Sequence, residues 1–334
     1  MSRILLVQPD AGGAISGGFL YNSEMAAHGA WQLCQARADR LDAALASAEA
    51  DLVIADSLWL TERTFEPFLR AGRRRRVAVL MHSFPSMIAA AERRLPVARE
   101  PTAFEIEALQ AVALAIVPGP HYADRLRAAD VDVQTAEPGV ADAWRTPPRR
   151  RAGRCSLVSV GAVTARKGFL DVLSALKERA ERGDWRWTAV GSLTADPAYA
   201  RELAEMAARF DGVTLAGQRP PDEARALVSS ADLLVMPSYD ENQPLVLLEA
   251  MAASVPIVGY DVGAAARMLS HGKEGLLGRV GDTAQLASHL ERLIDDESAR
   301  YRMAEACWER QKALPSWPTA AARARKMLER WAAR

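Results

Sequence analysis

Cysteine is scarce in this chain. The three present, Cys34, Cys155 and Cys307, are odd in number and far apart, which excludes a disulfide framework or a CxxC-type zinc site and fits a reducing compartment. An excess of charge of either sign is also missing. Lys+Arg and Asp+Glu both number 42, and the balance holds in each half, so nucleic acid is not an expected partner. No apolar run approaches the roughly 18 residues of a membrane span, and the run Ile4–Val7 is too short for a signal peptide. A cytoplasmic chain with no integral membrane segment is expected. Three motifs are absent as well: GxGxxG, HExxH and the Walker Lys-Ser/Thr pair. Asp130-Val131-Asp132 is formally Asp-x-Asp but follows a helical stretch beside a short strand and reads as a surface turn. No metal set and no resident cofactor are expected.

What is present is ordinary globular material, with 49% hydrophobic and 25% charged residues over 334 positions, a length for about two domains. Continuous apolar runs at Arg3–Val7, Asp51–Ala55, Arg76–Met81 and Leu114–Val117 suit strands covered on both faces. Shorter strands are expected at Trp31–Gln35 and Val133–Ala136. Helical stretches lie between them at Phe19–His28, Asp39–Ala48, Thr61–Ala71, Ala103–Ala113 and Tyr122–Ala129. The stretch from Arg145 to Arg154, with two prolines and a basic run, reads as an exposed linker. After it the rhythm restarts, with strands at Ser156–Val160, Trp185–Val190, Val213–Ala216, Leu233–Met236 and Ile257–Tyr260. The helices there are Phe169–Arg182, Ala198–Arg209, Pro221–Ala231, Pro244–Ala253, Thr283–Asp295 and a final one at Trp317–Arg334. The pattern predicts two doubly wound α/β domains in tandem, facing a cleft. Their expected bounds are 1–145 and 155–316, with the linker at 146–154 and the last helix, 317–334, returning to the first domain.

Three loops after strands are candidate sites. The first, Gly161–Gly168, sets Arg166 and Lys167 at a helix start, where adjacent cations suit a phosphate; a tight turn with solvated charges is the alternative. The second, Pro237–Met251, carries Glu241 in the loop and Glu249 within an apolar helix opening at Pro244. A carboxylate in such a run is costly unless partnered, and carboxylates suit vicinal sugar hydroxyls; a helix-start charge and a partly exposed helix residue are the plainer readings. The third is the Gly-rich stretch Gly12–Gly18. Of five histidines, His82 ends a strand at the cleft; the plainer reading is a hydrogen-bonded strand-end residue. The run Arg73–Arg76 reads as a solvated rim, with peripheral contact to an anionic membrane as the sharper alternative.

From Leu157 to about Asp282 the order VSVGAVTARKG, AVGS, LAGQ, SSADLLVMPS, YDENQPLVLLEAMAASVPIVGYDVGA and EGLLGRVGD resembles the retaining nucleotide-sugar glycosyltransferases of family four (glycosyl transferases group 1), with the two-Rossmann-domain GT-B fold. The Glu-x7-Glu pair Glu241 and Glu249 is the specific part. The N-terminal half resembles the family more loosely, through ILLV, Gly17-Gly18, His82 and Pro138-Gly139-Val140. The resemblance implies a hexosyltransferase-type enzyme that moves a sugar from a nucleoside diphosphate to a small-molecule, glycan or lipid-linked acceptor, without protein nucleophile or bound metal. It implies that Lys167 and Arg166 bind the diphosphate and Glu249 the ribose. Glu241, Asn242, Gln243 and Leu245 would meet the donor sugar and phosphate, Gly161 the ligand, and Gln218 the base. Gly17 and Gly18 would approach the diphosphate, and His82 would sit near sugar and acceptor. Three departures stand out: Ala162 where an Arg is common, Glu241-Asn242-Gln243-Pro244 where EGFG is common, and Arg267 near a common Glu. The alternatives are a catalytically silent nucleotide-binding GT-B protein, or one that epimerises or hydrolyses a nucleotide sugar.

Overall fold

The computed structural model describes residues 3–10, 12–13, 15–47, 49–92, 100–150 and 153–333. These fall into two compact units, one within Met1–Ala90, Ala98–Gly139 and Pro315–Arg334, the other within Ala91–Val97 and Val140–Leu314.

The first unit holds β1 (Ile4–Pro9), α1 (Gly17–Gly29), β2 (Gln32–Ala36), α2 (Leu41–Ser47), β3 (Leu52–Asp56), α3 (Glu66–Ala71), β4 (Arg76–Leu80), α4 (Pro85–Glu92), α5 (Ala103–Ala111), β5 (Leu114–Val117), α6 (Pro120–Ala128) and β6 (Val133–Thr135). Its strands form one parallel sheet in the order β2-β1-β3-β4-β5-β6. The apolar runs are buried because helices cover both faces: Leu6, Val7, Val53, Ile54, Ala55 and Val79 have no exposed surface.

The second unit holds β7 (Cys155–Val160), α7 (Phe169–Leu176), β8 (Trp185–Val190), α8 (Pro197–Ala207), β9 (Val213–Gly217), α9 (Pro221–Ser229), β10 (Leu233–Met236), α10 (Leu245–Ala252), β11 (Ile257–Tyr260), α11 (Ala265–Met268), β12 (Gly275–Gly278), α12 (Thr283–Asp295) and α13 (Glu297–Gln311). Its parallel sheet runs β12-β11-β10-β7-β8-β9. The last helix, α14 (Trp317–Ala332), belongs to the first unit. There Trp317 packs edge-on against Tyr21 at 5.8 Å. Arg76 donates to the Ala332 carbonyl at 2.6 Å and lies over the Trp331 ring, so this member of the basic run anchors a helix end.

Several sequence expectations shift. Gly17 and Gly18 are the first residues of α1, capped by Ser16 accepting from the Phe19 N–H at 3.2 Å, so the glycine loop ends earlier than the pattern implied. Pro244 caps α10 with extended backbone, and the helix opens at Leu245. The α-helix after Lys167 stops at Leu176 and tightens into 3₁₀ geometry to Arg182. The helix expected over Thr61–Ala71 begins only at Glu66. The pattern did not mark α4, α11, β12 or α13; α13 is largely polar, and β12 is four residues long with a glycine at each end. The crossing between units falls at Gly139–Val140. Arg145, at the head of the expected linker, donates to the carbonyls of Gln311 and Leu314 at 2.8 and 2.9 Å, and the Thr146 N–H donates to Ala252 O at 3.0 Å. That stretch therefore starts as part of the second unit; Arg151 and Ala152 lie outside the described residues.

Candidate active site

In each sheet the strand order reverses beside one strand, and open α/β sheets bind ligands beyond the carboxyl ends at that point. In the second unit the reversal lies between β7 and β10. The loops after those two strands are the first two loops of the sequence reading.

They are bound to each other. The Tyr239 N–H donates to the Arg166 carbonyl at 2.8 Å, and Arg166 Nη1 donates to the Asp240 carbonyl at 2.8 Å. Gly168 is left-handed (φ 66°), and a Cβ there would stand 2.1 Å from the Pro237 oxygen, so only glycine permits this approach. Beneath the loop, Asp171 Oδ2 on α7 accepts from Tyr239 at 2.8 Å and from Tyr260, the last residue of β11, at 2.7 Å. One carboxylate oxygen thus ties α7, the Glu241 loop and β11 together. The sequence reading did not single out these three residues; a polar residue on the apolar face of α7 was the available signal.

The tied loops bring Lys167, Arg166 and Glu241 together. The Lys167 ammonium donates to Glu241 Oε1, and Arg166 Nη1 lies 3.8 Å from the same oxygen. Burial alone would raise the Glu241 pKa; the two cations overcome it and hold the carboxyl below its ordinary range. Burial pulls the Lys167 pKa down while Glu241 opposes that pull. Gly161 lies along the lysine stem, where a Cβ would be 3.1 Å from Cε. Asn242 is buried, with its carbonyl accepting from the Ala264 N–H at 2.9 Å. The side-chain oxygen of Gln243 is buried without a hydrogen-bond partner among the described residues. Leu245 opens α10, and Glu249 lies one turn further on. Glu249 is half-buried, takes part in no hydrogen bond or ion pair among the described residues, and is pushed by burial up to about 7. An unpartnered carboxylate beside a cation cluster, at a strand-order reversal, is poised for a ligand with hydroxyls and phosphates. Gln218 is exposed just past the edge strand β9, apart from this cluster in sequence and strand order.

The first unit has its reversal at β1 and β3. Beyond it lies His82, with its N–H donating to Ser57 Oγ at 3.1 Å. Gly18 lies against the imidazole: a Cβ there would be 3.2 Å from the ring. Gly17 is the first residue of α1. Behind His82 is a buried cluster of Gln8, Asn22 and Asp56. The sequence reading missed these residues, although Gln8 and Asp56 follow the apolar runs of β1 and β3. Among the described residues no three His, Cys, Asp or Glu side chains are grouped to hold a metal, and no helix is long and apolar enough to cross a membrane.

Residues 154–296 match the family model described as glycosyl transferases group 1. The second unit carries a glycosyl transferases group 1 domain. Among curated relatives, the chain is 34% identical over 195 residues to a D-inositol 3-phosphate glycosyltransferase of Pseudarthrobacter chlorophenolicus, covering 53% of this chain and 46% of that protein. It is 31% identical over 168 residues to an alpha-D-kanosaminyltransferase of Streptomyces kanamyceticus, covering 49% and 43%. The matched segments span about half the length of these relatives. Among solved structures, sucrose-phosphate synthase from Thermosynechococcus elongatus superposes with a TM-score of 0.81 at 18% identity, over 100% of both chains. The Anabaena protein HepE in complex with UDP-glucose does so with a TM-score of 0.81 at 18% identity, over 99% of this chain and 100% of that one. These likenesses show the fold, two parallel-sheet α/β units of the GT-B type. The group 1 domain encloses the whole Lys167–Glu241–Glu249 constellation.

Proposed function

We propose that this protein is a retaining glycosyltransferase that takes a nucleoside diphosphate sugar in its second unit and transfers the sugar to a hydroxyl-bearing acceptor without a metal ion. The observation that carries this reading is the juxtaposition of Lys167 and Arg166 with Glu241, and of the unpartnered Glu249 on the next helix, within a group 1 domain. Relatives named as glycosyltransferases and a structural neighbour holding UDP-glucose support it.

The chemistry follows from the charges. Breaking the bond between the anomeric carbon and the nucleoside diphosphate leaves negative charge on the departing phosphate. Lys167 and Arg166, fixed by the tied loops, meet that charge without reorganising, which is the strongest form of electrostatic stabilisation. In the free protein Glu241 neutralises the lysine, so an arriving diphosphate takes over that cation and frees Glu241 for the donor sugar. Glu249 accepts hydrogen bonds from the ribose hydroxyls. The leaving phosphate takes the acceptor's proton on the face it departs from, which gives retention. Arg166 supplies the second cation that Ala162 lacks.

The test is a thermal-shift panel of UDP, GDP, ADP and TDP, followed by product analysis with the sugar form of the best ligand. A ligand at a hundred times its dissociation constant adds about 2.7 kcal/mol of stability. A panel with no shift at any of the four would overturn the donor reading.

A further inference from the structure

The polar cluster behind His82 has a fixed direction of hydrogen bonding. Asn22 is fully buried, and its Nδ2 donates to Asp56 Oδ2 at 2.7 Å and to Gln8 Oε1 at 2.9 Å. An ionised carboxylate has no proton to give, so the face of the amide toward Asp56 must be its N–H₂. The other oxygen of Asp56 accepts from the Leu58 N–H at 2.8 Å, which holds the carboxylate in place. Asn22 Oδ1 therefore points the other way, and it lies 2.8 Å from His82 Nε2. An amide oxygen only accepts, so the proton of that bond belongs to Nε2. Burial lowers the His82 pKa, with Asp56 opposing, so the ring is neutral near pH 7. A neutral imidazole with Nε2–H carries its lone pair on Nδ1, and no hydrogen bond reaches Nδ1 among the described residues.

Two further contacts hold the ring. Tyr21 meets it edge-on at 5.2 Å, and Gly18 closes on its carbons. The imidazole is thus fixed in place as well as in tautomer, beyond the carboxyl ends of β1, β3 and β4.

We propose that Asn22 is a positioning residue which, oriented by Asp56, locks His82 as the Nε2–H tautomer and so presents Nδ1 as a hydrogen-bond acceptor for a substrate hydroxyl. The identity of that hydroxyl rests on the glycosyl-transfer reading; the tautomer does not. An internal strut that merely ties α1 to the strand ends would need no accepting nitrogen directed at a ligand.

The tautomer is read directly by ¹⁵N-imidazole NMR of the full chain, with His82 assigned by its loss in His82→Ala. The wild type should show the proton on Nε2 and the lone pair on Nδ1 at pH 7.5. A Nδ1–H or imidazolium signal overturns the proposal without any mutant at the network. Asn22→Ala should give a mixture of tautomers, and Asn22→Asp, which keeps an acceptor toward Nε2, should restore the single form. If neither variant folds, the wild-type spectrum and His82→Ala still decide. Calorimetry of His82→Ala with UDP and UDP-glucose as probes, with UDP-glucose turnover, then locates the hydroxyl. An affinity about tenfold lower for UDP-glucose alone, the scale of one hydrogen bond, assigns it to the donor sugar. Unchanged affinities with turnover about tenfold slower assign it to the acceptor. Equal losses for UDP and UDP-glucose, or no change in affinity or turnover, overturn the role. If the wild type takes no nucleotide, the donor reading fails while the spectrum still settles the tautomer.

Discussion

Glu249 should make the free protein less stable than it would be with a neutral residue at that position. Its carboxyl is pushed from an ordinary 4.5 up to about 7 by burial. The unfolded chain therefore ionises first, near 4.5, and the folded chain resists. Below that pH both states hold the proton and there is no cost. The cost grows as pH rises and is complete above about 7. At 1.36 kcal/mol per pH unit, it is about 3 kcal/mol for a group shielded from water. Glu249 is only half-buried, and solvent screening reduces this to about 1.5 kcal/mol. Glu249→Gln keeps the shape and removes the charge. At pH 8 it should raise Tm by about 3–6 °C, taking 2–4 °C per kcal/mol for a unit of this size. At pH 5 the two proteins should melt nearly together. Calorimetry of both proteins at both pH values checks this. Saturating nucleotide should reverse the order at pH 8, because ribose hydroxyls give a carboxylate hydrogen bonds worth about 1.5–3 kcal/mol each. A Tm difference that is the same at pH 5 and pH 8 would refute the reasoning, because a contribution independent of pH cannot come from this ionisation.

Three other substitutions or conditions probe the same site. Glu241→Gln should tighten UDP binding by about tenfold, since a competing anion leaves Lys167, while slowing transfer; titration calorimetry showing weaker UDP binding would count against the exchange of partners. Arg166→Ala should cost about 10²–10³ in turnover, the scale of one preorganised charge-stabilising donor, and adding Ala162→Arg should restore part of it; near-wild-type kinetics would remove Arg166 from the leaving-group site. Turnover should survive EDTA, and a loss restored by a divalent ion would contradict a mechanism built on side-chain cations alone.

The strands were legible because both faces of each sheet are covered, so a run such as Leu52-Val53-Ile54-Ala55 has no other stable use. The loops of the candidate site were legible for a related reason. Glycines, adjacent cations and carboxylates at the end of an apolar run are costly choices that local structure does not demand. The helices between strands were read less well. α4 and α13 carry no sharp polar–apolar division, and the length of α7 was overstated because a 3₁₀ turn continues the same spacing. Asn22 shows a deeper limit. Its position in α1 beside Tyr21 and Met25 is unremarkable in one dimension, and only the fold brings it to Asp56 and His82, 34 and 60 residues away.

The two polar groupings solve opposite electrostatic problems. Around Glu241 the free protein holds two cations against one anion, a surplus of positive charge that a diphosphate can occupy. Around His82 the chain from Asp56 through Asn22 ends on a neutral ring, so the carboxylate is satisfied internally and only a lone pair reaches the surface of the cluster. The first arrangement recognises charge, and its strength falls with salt unless the site is closed to water. The second recognises a hydroxyl proton and is insensitive to salt. Ionic strength should therefore separate them. Raising salt should weaken UDP binding in the wild type while leaving the His82→Ala effect, expressed as a ratio to wild type, unchanged. A ratio that drifts with salt would mean that His82 acts through charge, which a neutral Nε2–H tautomer forbids.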